Sequence, residues 1–306
     1  MLKSKTLMWA LFLIFFSNLP GCDRSASDQD SDTNYIAEIQ EWQRERIAGL
    51  KSETGWLNLA GLYWLKEGEN TFGSDPENDL VFPEKAPKLM GAFVQKNTDV
   101  SVKIVPGAGV THEGRPVTHL KVYTAGAGER TVLQHGSLAW FVIERDGMLG
   151  VRLRDLENPA LSRFKGIDRY DIDPKWKIAA ELRPYASEKI VEVPTVLNTV
   201  RKQASPGALI FKVNGETYTL DSVSENNSGQ VFVIFADKTT GVETYSGGRF
   251  LYVDKPGEDG KTFIDFNKAY NPPCAFSAFS TCPLPPAQNR LPFAVTAGEK
   301  MYEYDH

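Results

Sequence analysis

The sequence predicts a mainly β fold: two β-sandwich or barrel-like domains behind a leader, a tether and one amphipathic helix. Three observations carry this. Turn dipeptides recur about every eight to twelve residues, the punctuation of short antiparallel strands; among them are Glu67-Gly68, Asp75-Pro76, Pro106-Gly107, Asp146-Gly147, Asn214-Gly215, Gly247-Gly248 and Asp259-Gly260. Asp146-Gly147 and Asn214-Gly215 stand between β-favouring runs, and such pairs supply the positive φ angles of a tight hairpin. Val231-Phe-Val-Ile-Phe235 is an unbroken apolar run, the pattern of a strand buried on both faces. No repeat of fixed period appears, which with the turn spacing argues for sandwiches rather than a doubly wound α/β fold.

The elements follow in order. Residues 1–21 begin with Lys3 and Lys5 and continue through an apolar run from Leu7 to Phe16 to Leu19-Pro20-Gly21, directly before Cys22. A basic start, a short apolar stretch and a small residue before the cut make a secretory signal, too short to span a bilayer stably. Leu19-Pro-Gly-Cys22 resembles the lipobox of bacterial lipoproteins, with Pro20 departing from the usual small or branched residue. The resemblance implies lipidation of Cys22, a diacylglycerol- and palmitate-bearing N-terminus, and a lipid anchor on the non-cytoplasmic side of a bacterial membrane in the cell envelope. Asp23 resembles the inner-membrane retention signal of enteric bacteria, and the choice between inner and outer membrane stays open. Residues 22–33 lack large apolar side chains and read as a flexible tether of about 20 Å. Ile36, Ile39, Ile47 and Leu50, with Trp42 beside them, recur at helical spacing and predict a helix over 34–50. Hairpins are expected around Asp146-Gly147 and Asn214-Gly215, and a further pair between Arg249–Val253 and Thr262–Phe266. Gly126-Ala-Gly128 breaks the pattern, so the helix and first β domain are placed at 34–134 and the second at 135–306.

Composition narrows the function. The net charge is -5, without the basic surplus of a nucleic-acid partner or a polybasic lipid-docking segment. The expected partners are therefore the membrane, through the anchor, and an envelope small molecule, sugar or peptide. The chain has three cysteines. With Cys22 lipidated, Cys274 and Cys282 remain as an expected disulfide in an oxidising compartment, unpaired buried thiols being the alternative. No CxxC or HExxH pattern appears, and neither a cofactor nor a metal site is expected.

Two family resemblances follow from longer motifs. Glu67–Phe82, with Gly91-Ala-Phe93, Val100–Val105 and His112–Val117, resembles the opening of a forkhead-associated sandwich. That implies its fold. The phosphothreonine arginine after the glycine is Ser74 here and the Ser-x-x-His element is absent, so phosphopeptide binding does not carry over. Asp75, Glu77, Asn78 and Asp79 read as a solvated turn, with a calcium loop as the sharper alternative. From Trp56 onward the chain resembles a bacterial family catalogued as a domain of unknown function. The motifs are Gly55-Trp-Leu-Asn-Leu-Ala-Gly-Leu-Tyr-Trp-Leu65, His135–Phe141, Val151-Arg-Leu-Arg-Asp155, Asp265-Phe-Asn-Lys-Ala-Tyr-Asn-Pro-Pro-Cys-Ala-Phe276, and the Pro-rich run after Cys282.

Candidate chemistry concentrates near the C-terminus. Glu243, Tyr245 and Arg249 flank Gly247-Gly248; Asp265, Asn267, Tyr270 and Asn271 follow, then the cysteine loop, Asn289 and Arg290. Alternation puts Asp265 and Asn267 on one strand face. Such a wall of carboxylate, amide, phenol and guanidinium groups suits a pocket, or else satisfies the backbone of an irregular loop. The leading reading is a ligand-binding or envelope-assembly module. The alternative is a hydrolase or lyase on an envelope sugar or peptide, using Glu243 and Asp265 beside Arg249. His135 and Ser137 make a weak nucleophile pair. Trp56, Tyr63, Trp64, Trp140 and Trp176 read as core first and as a sugar-binding face second.

Overall fold

The computed structural model describes residues 26–128, 130–187, 189–225 and 229–302; the leader and Cys22 lie outside them. The architecture is mainly β, as the turn spacing predicts. The first β unit contains β1 (Leu59–Trp64), β2 (Gly68–Gly73), β3 (Leu80–Val81), β4 (Gly91–Lys96), β5 (Asp99–Ile104), β6 (Thr111–His112), β7 (Arg115–Pro116), β8 (His119–Thr124), β9 (Leu133–His135), β10 (Leu138–Arg145) and β11 (Met148–Asp155). They form two sheets, β1-β11-β10-β9-β6-β7 and β3-β2-β4-β5-β8, whose apolar residues share one core. Trp140 is fully buried there, edge-on to Phe72 and Phe82. Asp146 and Gly147 both take positive φ, 53° and 79°, so β10 and β11 form the expected hairpin.

That hairpin corrects the expected joint at residue 135. β11 pairs with β1, and Leu138, Trp140, Val142, Val151 and Leu153 belong to the first core. A long-range pairing between the first and last strands closes the unit, and no local break in composition marks it.

The second unit contains a one-turn helix (Pro159–Arg163), then β12 (Lys177–Arg183), β13 (Lys189–Pro194), β14 (Val200–Ser205), β15 (Ala208–Val213), β16 (Glu216–Asp221), β17 (Ser224–Glu225), β18 (Val231–Phe235), β19 (Arg249–Val253) and β20 (Lys261–Asp265). Its sheets run β16-β15-β12-β20, β13-β14 and β17-β18-β19. The Asn214-Gly215 hairpin joins β15 to β16, and β18 is the central, largely buried strand the apolar run predicts. The expected pairing of β19 with β20 does not form. β19 pairs with β18 and β20 with β12, each at the edge of its own sheet, because sequence adjacency does not decide the partner.

The long helix α1 (Ala26–Lys51) begins earlier than the predicted 34, so residues 26–33, expected in the tether, are helical. That stretch has no Pro or Gly to stop a helix running back from Tyr35. Ile39 and Leu50 are fully buried and Ile36 and Ile47 half-buried, as their spacing implies. The helix docks on the second unit and not on the first, where the sequence reading grouped it. The Tyr35 hydroxyl donates to Asp265 (2.8 Å), Lys268 pairs with Glu38 (2.7 Å), and the Arg46 guanidinium lies 4.7 Å from the Tyr270 ring centroid. No helix among the described residues is long and apolar enough to cross a membrane.

The sulfurs of Cys274 and Cys282 stand at disulfide distance, with the Cα atoms 6.1 Å apart. Closing so short a ring removes about 2–3 kcal/mol of unfolded-chain entropy. The loop is also stitched to the C-terminal end of β13: Val196 N–H donates to the Cys282 carbonyl and Leu284 N–H to that of Pro194.

Candidate functional site: an arginine cleft between the β units

β11 alternates apolar and basic residues. Leu149, Val151 and Leu153 enter the first core, so Arg152 and Arg154 project from the opposite face, towards the second unit. Arg154 is used structurally: it donates to the Gly55 carbonyl and to Asn58 Oδ1 (2.5 Å). Arg152 is different. It is only 4% exposed, its Nε and Nη2 find no hydrogen-bond partner, and no ion pair of Arg152 occurs among the described residues. Burial and then the positive charges of Arg145, Arg154 and Arg130 push its pKa down to about 10. A guanidinium so placed is expensive, several kcal/mol in a protein interior. It is still largely protonated at neutral pH.

Arg152 borders a cleft of about 410 Å³. Arg145 and Asp146 reach it from the β10–β11 turn, Arg201 from β14, Trp56 from the α1–β1 connection, and Thr281 from the disulfide loop. Asp146 is already engaged. It accepts from Arg201 Nε (2.6 Å) and Thr199 Oγ1 (2.5 Å), and these contacts hold its carboxyl below the usual range. Arg201 Nη2 is left without a partner. Glu144, the other acid of the lining, accepts from the Tyr123 hydroxyl. The cleft thus presents two guanidinium groups with donors to spare. The planar fork of such a group matches carboxylate and phosphate oxygens.

The sequence-predicted residues do not gather into one site. Arg249 is fully buried, paired with Asp237 at 2.8 Å, and donates to the Val295 (2.9 Å) and Ala297 carbonyls. Asn289 bonds both backbone groups of Asp221 and the Ile234 carbonyl. Asn271 donates to the Lys300 carbonyl and, through its backbone, to Glu299. These groups secure an irregular segment. Glu243 and Arg290 are exposed, and Tyr245 is half-buried against Phe276 and its neighbours. Asn267 is not on a strand with Asp265: β20 ends at Asp265, which caps the following 3-10 turn, and Asn267 donates from that turn to Tyr35 and to the Asp173 carbonyl. Asp265 and Tyr270 line a cavity of about 510 Å³ under α1, and Asn267 donates to Asp265 from its backbone (3.1 Å) and side chain (3.3 Å). The grouping of Glu243, Asp265 and Arg249 as acid, base and cation is not formed, because Arg249 is spent on Asp237 and two carbonyls.

His135 and Ser137 also stay apart. His135 Nδ1 faces the Gly109 carbonyl (3.3 Å), while the Ser137 hydroxyl donates to Asp155 (2.7 Å) beside Lys85. The Asp75–Asp79 turn is held by its own bonds: Asn78 donates to the Asp75 and Lys88 carbonyls, and Asp79 accepts from Thr71. Ser74 donates to the Ala86 carbonyl. Among the aromatics, Trp140 and Trp176 are core and Tyr63 stacks on Phe82; Trp56 lines the cleft. The sequence did carry a signal for Arg152, two arginines alternating with core aliphatics in Val151-Arg-Leu-Arg-Asp155. The missing ion-pair partner is a tertiary property.

Asp265 permits a pH test. Burial raises its carboxyl pKa, more than the Tyr35 and Asn267 hydrogen bonds lower it. The folded state therefore holds the proton where the unfolded chain has released it, and stability declines as pH rises through that interval. Asp265→Asn keeps the acceptor for Tyr35 and removes the charge. The variant is expected to gain on the parent in melting temperature at pH 7, with the gain vanishing below about pH 4. A gain independent of pH would contradict the burial argument.

Comparison with known proteins adds a family segment. Residues 162–300 match the family model described as "Protein of unknown function (DUF1684)". The match coincides with the second β unit, so the Trp56–Asp155 motifs lie outside it. The solved solution structure of an uncharacterized protein of Haloarcula marismortui is 35% identical, over 47% of this chain and 80% of that one, with a TM-score of 0.39. A structure described as a phosphothreonine-dependent FHA domain is 14% identical, over 30% of this chain and 92% of that one, with a TM-score of 0.21. No curated protein matches.

Proposed function

We propose that this chain, whose residues 162–300 match the DUF1684 family model, is an exported, lipid-anchored ligand-binding protein that takes an anionic small molecule into the arginine cleft. The observation that carries the reading is Arg152: a buried cation with unused donors, surrounded by further arginines. Buried charges are ordinarily paired; Arg152 has the Trp56 ring 5.8 Å away but no acceptor for Nε and Nη2, and a buried cation so left is accounted for when its acceptor is a ligand. Export and anchoring rest on Lys3, Lys5, the apolar run and Leu19-Pro-Gly-Cys22. Cys22→Ala is expected to abolish metabolic labelling with a fatty acid; labelling that persists removes the anchor from the proposal.

The binding reading is tested with the full chain in detergent, titrated calorimetrically with inorganic phosphate, citrate and glucuronate. Arg152→Gln is expected to weaken the anion that binds by about 10–100-fold, the worth of a charge-assisted hydrogen-bond pair. Equal affinity of parent and variant, or no binding of any anion, overturns it.

A further inference from the structure

The cleft does not end at Arg152. Trp56, Phe250 and Pro273 line it and also line a second cavity of about 490 Å³. Trp42, Tyr252 and Tyr270 then line both that cavity and the one under α1. The three form one groove, running from the arginines along the seam between the β units to the underside of the helix. Its middle stretch is a shelf of rings: Trp42, Trp56, Phe232, Phe250, Tyr252 and Tyr270. The remaining lining there is Glu45, Arg46 and Pro273, with no aliphatic side chain other than the proline ring. The rings are braced. Phe232 packs edge-on to Phe250 (5.0 Å between centroids) and against Tyr252 (4.9 Å), and Phe250 edge-on to Tyr270 (5.9 Å). Tyr252 is nonetheless 44% exposed. Trp42, Trp56 and Phe232 are half-buried and Phe250 is buried behind them; partly exposed rings of this size beside a charged rim favour a ligand that covers them.

Given the anion reading above, on which this rests, we propose that the groove binds an acidic saccharide. Its carboxylate or phosphate group would sit on Arg152 and Arg201, and its sugar rings on the aromatic shelf. The choice follows from the chemistry of the two parts. Arginine forks recognise carboxylate or phosphate oxygens. The C–H faces of a sugar ring lie flat on an aromatic ring, while its hydroxyls reach flanking polar groups such as Glu45 and Arg46. An acyl chain with an acid head would instead call for an enclosed, aliphatic channel, and this shelf is open and aromatic.

The test uses the full chain in detergent and five probes: a trigalacturonate, a hexose phosphate, free galacturonate, a neutral trisaccharide and palmitate. Binding is read by calorimetry and by tryptophan fluorescence, since Trp42 and Trp56 lie on the shelf. The expected result is that the trigalacturonate or the hexose phosphate binds best, at least about tenfold above galacturonate or the neutral sugar, and perturbs the fluorescence. Which of the two leads identifies the acidic group. Trp42→Ala and Tyr252→Ala, the latter exposed enough to leave the fold intact, lie outside the arginine cleft; each should cost that ligand about tenfold and leave galacturonate affinity unchanged. Arg152→Gln should weaken both. If galacturonate binds as tightly as the larger probes and the shelf variants are silent, the saccharide proposal is overturned while the anion reading stands. A preference for palmitate or the neutral sugar also overturns it. If no anion binds, the underlying reading fails with it.

Discussion

Arg249→Met is expected to destabilise the protein by about 3–5 kcal/mol, the cost of breaking a buried ion pair from one side. The guanidinium and the Asp237 carboxylate are both fully buried, 2.8 Å apart. Asp237 also accepts from Thr239 and from the Val295 backbone, and Arg249 donates to the Val295 and Ala297 carbonyls. Removing the cation leaves a carboxylate in the interior and frees the Val295 and Ala297 carbonyls that Arg249 holds. In a domain of this size the melting temperature should fall on the order of 10 °C. Asp237→Leu combined with Arg249→Met should recover part of the loss, since no buried charge remains, but not all, because the two carbonyls stay unmet. A single variant within about 1 kcal/mol of the parent would show that the pair contributes little.

Arg152→Met should act in the opposite direction. Arg152 is buried to a similar degree, yet the charges around it repel it and Nε and Nη2 have no acceptor. A methionine of comparable length fills the same space without the desolvation cost, so the apo protein is expected to gain about 1–3 kcal/mol. Anion binding should be lost in the same variant, the signature of a site kept at the expense of stability. Chemical denaturation read by tryptophan fluorescence measures the first effect and calorimetry the second. If Arg152→Met destabilises the protein as Arg249→Met does, Arg152 is a structural residue and the cleft is not its reason for being there. The two arginines look alike in the sequence. What separates them is whether a carboxylate faces them.

The fold was readable to the extent that it is local. Asp146-Gly147 and Asn214-Gly215 specify their hairpins because few dipeptides adopt two successive positive φ angles without cost. The apolar run at Val231 predicts a buried central strand, and the Ile39–Leu50 stripe a helix. Pairings between distant segments were not readable. β19 and β20 each found partners other than one another, and β10–β11 joined the first sheet through β1, because strand edges carry no sequence-specific address beyond their pattern of apolar side chains. The predicted pocket erred for a related reason. Arg249, Asn271 and Asn289 are polar residues in an irregular, buried stretch, and there the backbone takes their donors and acceptors first.

By itself, then, the sequence determined the β class, two of the hairpins, the amphipathic helix and the cysteine pair, since each depends on residues near one another in the chain. Only the tertiary structure decided where the first unit ends, which unit carries the helix, and which arginine lacks a counter-charge. These depend on what another part of the chain brings alongside. Burial, which turns an ordinary surface cation into a demanding one, is set by the packing of both β units together.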